Sequence, residues 1–152
     1  MRKTLSLLIL FVAFQSVYGQ AVTFYPWTST LSVATNPNRV VWGDMRFQMN
    51  SYFSSLSTEV SPMFNVTKGE RAKFYVGAGV RFNFINYFTQ DDPEKQNPLE
   101  GYFLSVGVRA SPIVKIPRLQ LAFELSPYSN KNFDLGLFRA NLGLGYVFGK
   151  GF

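Results

Sequence analysis

Neither cysteine nor histidine occurs in this chain of 152 residues. Without an imidazole or a thiol, a Ser-His-Asp or Cys-His nucleophilic site cannot be assembled, and the common zinc ligands are missing. The same absence removes a disulfide framework and a lipid-modified cysteine near the N-terminus. Long apolar runs are also lacking: past residue 20, no stretch approaches the roughly 20 residues that a membrane-spanning helix requires. Charge is sparse, at 16% of residues, against 47% hydrophobic and 17% aromatic. No period of 20 to 50 residues recurs and no segment is of low complexity, which sets aside solenoids and linkers.

The N-terminus is patterned differently from the rest. Arg2 and Lys3 precede an apolar run over 5–14, followed by the small-residue exit Val17-Tyr18-Gly19. This is the pattern of a secretory signal peptide, too short in its apolar core to span a bilayer as a helix. Residues 1–19 are therefore expected to be cleaved, leaving 20–152 as one domain. Removing Arg2 and Lys3 lowers the formal charge from +6 to +4, with the remaining basic residues scattered along the chain. A nucleic-acid partner is not expected from that distribution.

What the chain has is strict alternation. Over 73–84, Phe74, Val76, Ala78, Val80, Phe82 and Phe84 fall on one face, and Lys73, Tyr75, Gly77, Gly79, Arg81 and Asn83 on the other. Period two is the signature of a two-sided β-strand. Alternation bounded by turn residues predicts strands over 39–49, 54–66, 72–86, 101–112, 119–127 and 135–148. Two weaker candidates, 28–34 and 22–25, bring the total to seven or eight, with an even number favoured if the sheet is a membrane barrel. The last of these falls short of the 9 to 11 residues that cross a bilayer, so it either borrows residues past Pro26 or closes the sheet imperfectly.

The faces differ in chemistry. On the polar face the phase places Asp44, Arg46, Glu59, Arg81, Arg109, Glu124 and Arg139, near balance in sign. Arginine's rigid fork suits enclosed pairing with carboxylates, whereas five of the six lysines past residue 20, Lys68, Lys95, Lys115, Lys131 and Lys150, fall in turns or at the end. Glycines on the same face, Gly77, Gly79, Gly107, Gly143 and Gly145, are expected to leave room for the arginines. The opposite face carries no charge. Those seven ionic residues are accordingly expected to fill the lumen of a small barrel, with Glu59 or Glu124 pairing with some of the arginines. Trp27, Trp42, Tyr87, Phe88, Tyr128 and Tyr146 stand near strand ends, as an aromatic girdle would.

In pattern the segment 20–152 resembles the small outer-membrane β-barrel proteins of Gram-negative bacteria. Its ending, Leu144-Gly145-Tyr146-Val147-Phe148-Gly149-Lys150, looks like the last strand of uncharacterised barrels from the Bacteroidota. Leu142, Leu144, Tyr146, Phe148 and Phe152 match the alternating apolar ending in phase, while Lys150 does not. Pro62 also departs from the pattern, since it costs a closed ladder a hydrogen bond. The resemblance implies an all-β fold, an antiparallel up-and-down membrane barrel of eight strands. It further implies residence in the outer membrane, with lipid and the assembly machinery as partners; lipopolysaccharide, bridged by a divalent ion, is expected instead from the acids of the loop 88–100.

No enzymatic activity, metal or cofactor is expected. Asp91, Asp92 and Glu94 lack the ordered ligand pattern of a calcium loop and read as solvated acids. The function expected is structural, or an interaction through the loop 88–100, whose acids Asp91, Asp92, Glu94 and Glu100 outnumber Lys95. Two alternatives stay open: a narrow conduit, and a soluble periplasmic barrel holding an apolar ligand inside.

Overall fold

The computed structural model describes residues 20–49, 56–69, 71–83 and 98–148. Eight strands occur in chain order: β1 (Ala21–Tyr25), β2 (Thr30–Ala34), β3 (Val41–Met49), β4 (Leu56–Asn65), β5 (Ala72–Asn83), β6 (Leu99–Ala110), β7 (Leu119–Asn130) and β8 (Gly136–Val147). Each pairs antiparallel with its neighbours in sequence, and β1 pairs with β8, so the sheet closes. Closure leaves no sheet edge along most of the wall. The connections 35–40, 66–71 and 111–118 share one end with residues 20 and 148, here the terminal end. The opposite, loop end carries the connections 26–29 and 131–135 together with the strand ends Met49, Leu56, Asn83 and Leu99. The segment 1–19 expected as a signal peptide lies outside the described residues.

Hydrogen-bonded neighbours trace a path that is displaced on closing. It runs from Thr23 through Ser32, Arg46, Glu59, Arg81 and Gly101 to Asn130. Asn130 then lies beside Leu135, whereas the β8 partner of Thr23 is Gly145. Such a stagger accompanies strand tilt in a closed barrel.

The phase read from the sequence holds throughout the described strands. Every strand residue that is charged points inward, and the outward positions are apolar or uncharged, with Phe24, Phe64, Phe74, Leu104, Val106 and Leu144 among the exposed side chains. Two of the supposed girdle aromatics instead turn inward: Trp42 is buried and Tyr128 half-buried. Each has the parity of a lumen position, two residues from Asp44 and Ser126 respectively, and parity outweighs closeness to a strand end.

Departures from regular pairing have local causes. β1 does not borrow residues past Pro26, which instead opens a 3-10 turn, Pro26–Thr28, with Ser29 at φ 47° closing it. Five residues still suffice to close the ring. Pairing of β4 with β5 lapses at Ser61 and Pro62, and that of β6 with β7 at Ser126 and Pro127. A proline has no N–H for the ladder, so each strand continues while one side of its pairing is interrupted. That is why β7 extends to Asn130 rather than stopping at the expected 127.

The inward glycines make room chiefly for rings and a methionine, not for arginines. A Cβ on Gly79 would meet the Phe103 ring, one on Gly143 the Tyr25 ring at 2.7 Å, one on Gly107 the Tyr75 ring, and one on Gly77 the Met63 sulfur. Gly79–Phe103, Gly107–Tyr75 and Gly77–Met63 are direct cross-strand pairs. A glycine opposite a bulky inward residue lets that side chain lie flat across the neighbouring strand. Gly107→Ala would drive its methyl into Tyr75 and to 2.9 Å from the Phe123 carbonyl. The substitution is expected to cost about 1–3 kcal/mol, whereas Gly136→Ala, with its nearest neighbour at 3.7 Å, should stay within about 0.5 kcal/mol. Unfolding midpoints in detergent would compare them.

Candidate functional site in the charged lumen

Two ionic clusters span the lumen. In the first, Glu124 on β7 is fully buried and accepts two hydrogen bonds from the Arg46 guanidinium on β3, at 2.5 and 2.8 Å. The paired geometry is the fork-to-fork arrangement that arginine forms with carboxylates. Tyr75 Oη on β5 donates to Glu124 Oε2 at 3.0 Å, and Ser105 Oγ on β6 donates to Oε1 at 3.1 Å. Asp44 receives the Arg46 Nε at 2.7 Å and the Ser32 hydroxyl at 2.5 Å. One guanidinium thus binds two carboxylates, one from its own strand and one from across the barrel.

The second cluster lies toward the loop end. Glu59 on β4 accepts from Arg139 on β8 at 2.6 Å and stands 3.5 Å from Arg81 on β5. Arg81 in turn donates through Nε to Glu100 at 2.8 Å and through Nη2 to Ser57 at 2.9 Å. Asn83 Nδ2 donates to the other oxygen of Glu100 at 2.9 Å. β3 with β7 and β4 with β8 are each four strands apart in a ring of eight, so Arg46–Glu124 and Arg139–Glu59 are crossbars between opposite walls. Between the clusters, the Phe103 ring lies 5.9 Å from the Arg46 guanidinium and 5.7 Å from that of Arg139. Contacts of this kind favour a cation over an aromatic face.

Of the seven residues expected to form the lumen network, six are joined by salt bridges: Asp44, Arg46, Glu59, Arg81, Glu124 and Arg139. Arg109 is inward and buried but pairs with neither Glu59 nor Glu124. Its guanidinium stacks 4.5 Å from the Trp42 ring and 5.2 Å from Tyr75, with Nε lacking a hydrogen-bond partner. Lys73, directly across the ladder, donates instead to Asn38 Oδ1 at 2.9 Å. Around Trp42 the terminal end is closed by Met63, Tyr75, Ala21, Ala34 and Val147.

Glu100 is a strand residue that faces the lumen. Expected in an interaction loop, it belongs to β6, at a bulge where Gly101 pairs with Arg81 and Leu99 with Phe82. The additional residue between those pairs re-aims the strand, and Glu100 reaches into the lumen. Alternation alone gives no sign of such an insertion. Asp91, Asp92, Glu94 and Lys95, the remainder of that loop proposal, lie outside the described residues. At the mouth, Arg81, Glu100, Tyr128, Asn130, Leu135 and Leu137 are among the residues lining a recess of about 510 Å³.

No family model and no curated protein matches this chain. Its chemistry must be inferred from the arrangement itself: enclosed acids and bases neutralised by one another and by hydroxyl donors. Removing one member of the inner crossbar leaves a buried charge without its partner. Glu124→Ala and Arg46→Ala are each expected to destabilise by about 3–5 kcal/mol, whereas joint replacement by Met at both positions should cost much less than the summed effects. A double-mutant cycle on unfolding in detergent measures that coupling.

Proposed function

We propose that this chain is a non-enzymatic outer-membrane β-barrel whose structural role is carried by its wall, with a lumen filled by charge pairs rather than kept open. One observation carries the assignment: the outward strand positions form an exposed apolar surface without a charged residue, while the strand charges are enclosed. In water such a surface would be an aggregation liability of large area; against acyl chains it is the ordinary wall of a membrane barrel. Charges outside the described strands support it. Arg39, Lys68, Arg71, Lys115 and Arg118 are all exposed at the terminal end, where lipid phosphates would meet them.

The distribution of faces speaks against the soluble ligand carrier. A barrel holding an apolar ligand needs its apolar face inward, and here that face is outward. A conduit is disfavoured by the same side chains that fill the lumen: Met63, Glu124, Ser126 and Val147 have essentially no exposed surface.

The test is cell fractionation followed by gel mobility with and without boiling. A species in the outer-membrane fraction that migrates compactly unless boiled is expected. Free solubility in the periplasm would contradict the assignment. Within the folded barrel, Val106→Arg should cost about 2–4 kcal/mol if its lipid-facing position is near the bilayer midplane. Unchanged unfolding of that variant in lipid vesicles would also count against it.

A further inference from the structure

Above the end of β1, β8 stays paired with β7 but has no strand on its β1 side among the described residues. Its last pair with β1 joins Leu144 to Phe24, but β8 begins at Gly136, leaving roughly 25 Å of strand beyond the last pair at about 3.3 Å per residue. The Phe148 N–H donates to the Gln20 carbonyl, which fixes the alternation: even-numbered residues of β8 direct N–H and C=O toward the β1 side. For Leu142, Ala140 and Phe138 no strand lies on that side among the described residues. All three are exposed.

Three further observations converge on the same step. The outward apolar column on β8 runs from Phe138 through Ala140, Leu142, Leu144 and Tyr146 to Phe148, whereas β1 offers only Val22 and Phe24 before Pro26. The 3-10 turn contacts β8 and presents Trp27, which is 72% exposed. On the inner side of the upper part of β8, Asn141 is buried with its Oδ1 unpartnered, as is the Nε of Arg139. On the turn and β3, Thr28 Oγ1 and Gln48 Oε1 lack partners too.

Given the membrane assignment above, this geometry conflicts with a bilayer of uniform thickness. Five residues are about half of what crosses the hydrocarbon layer, and free backbone groups are not tolerated within it. Thinning the bilayer locally is a modest cost by comparison, and indole rings favour the headgroup boundary. We propose that the barrel thins the bilayer on one side: over β1 and β2 the loop-side leaflet dips to the 3-10 turn, and phospholipid headgroups with their water solvate the free edge of β8. Trp27 marks the lowered boundary.

The test uses the full barrel in phosphatidylcholine vesicles brominated either near the headgroup end or near the methyl end of the acyl chains. Trp27 and Trp42 are the chain's two tryptophans, and Trp42 is enclosed in the lumen, so quenching reports Trp27. Trp27→Phe should abolish most of it. The double variant Trp27→Phe/Val106→Trp supplies a mid-wall reference. Trp27 is expected to be quenched about twofold more by the shallow bromines than by the deep ones, with the order reversed for the reference.

If deep bromines quench both best, the thinning is wrong while the membrane assignment stands. If neither position of bromine quenches the reference, the membrane assignment itself fails. Amide exchange in the same vesicles supplies a second arm: Phe138, Ala140 and Leu142 should exchange rapidly while Val106 stays protected. Protection of those three amides would overturn the proposal. Protection that rises with protein density would assign the edge to a second polypeptide strand.

Discussion

Glu124 has no exposed surface, and its charge persists there only because Arg46 reaches it from the opposite wall while Tyr75 and Ser105 complete its coordination. Four strands contribute to that one carboxylate environment: β3, β5, β6 and β7. A bidentate bond tolerates little change in distance or angle, so the crossbar fixes the separation of opposite walls. The rest of the interior is arranged around it. Asp44 holds the other side of the guanidinium, Tyr25 lies 5.7 Å from it, and Phe103 separates it from the second crossbar. A buried pair of this kind is weak evidence for net stability against an apolar alternative, but it penalises any arrangement that parts the two residues.

Inside and outside therefore obey different rules. On the membrane reading proposed above, the wall asks of each outward residue only that it be apolar, because a fluid neighbour would meet any such side chain equally well. The lumen demands particular partners at particular heights. Substitution of Val80 by another aliphatic residue leaves the outer surface much as it was, whereas a methyl on Gly107 collides with Tyr75. The glycine and aromatic pairs add to the filling of the lumen, with the Phe103, Tyr25 and Tyr75 rings lying against inward glycines.

Strand phase was legible in the sequence because period two is a local property: each residue announces its side without reference to the rest of the chain. The direction of the faces followed from arginines and carboxylates sharing one face while lysines fell in turns, and the strand number was legible only as seven or eight, because β1 is too short to declare itself. Cross-lumen partners are not local. Whether Arg109 meets a carboxylate depends on how far the register slides around the ring, and that slide leaves Arg109 level with Trp42 and Tyr75, whose faces receive it instead. Glu100 was hidden for another reason, since a bulge inserts one residue without changing composition or alternation on either side. Trp42 and Tyr128 stand near strand ends yet turn inward, because parity rather than position along the strand sets the side. The neighbouring Asp44 and Ser126, both inward, carry the signal that would have placed them.

The stagger that brings the crossbars together also accounts for the uneven rim. A path along hydrogen-bonded neighbours that leaves β1 at Thr23 arrives at the level of Leu135, so the two strands that close the ring meet with a large offset. Level strand tops would require β1 to continue well past Tyr25 and pair with β8 as far as Gly136. Proline at position 26 has no N–H to offer that continuation, and the 3-10 turn reverses the chain instead. Pairing is complete at the terminal end, where Ala21 meets both Ala34 and Val147, and the whole deficit is transferred to the loop end. The asymmetry of the wall is thus a consequence of closing a strongly sheared eight-stranded ring with two five-residue strands.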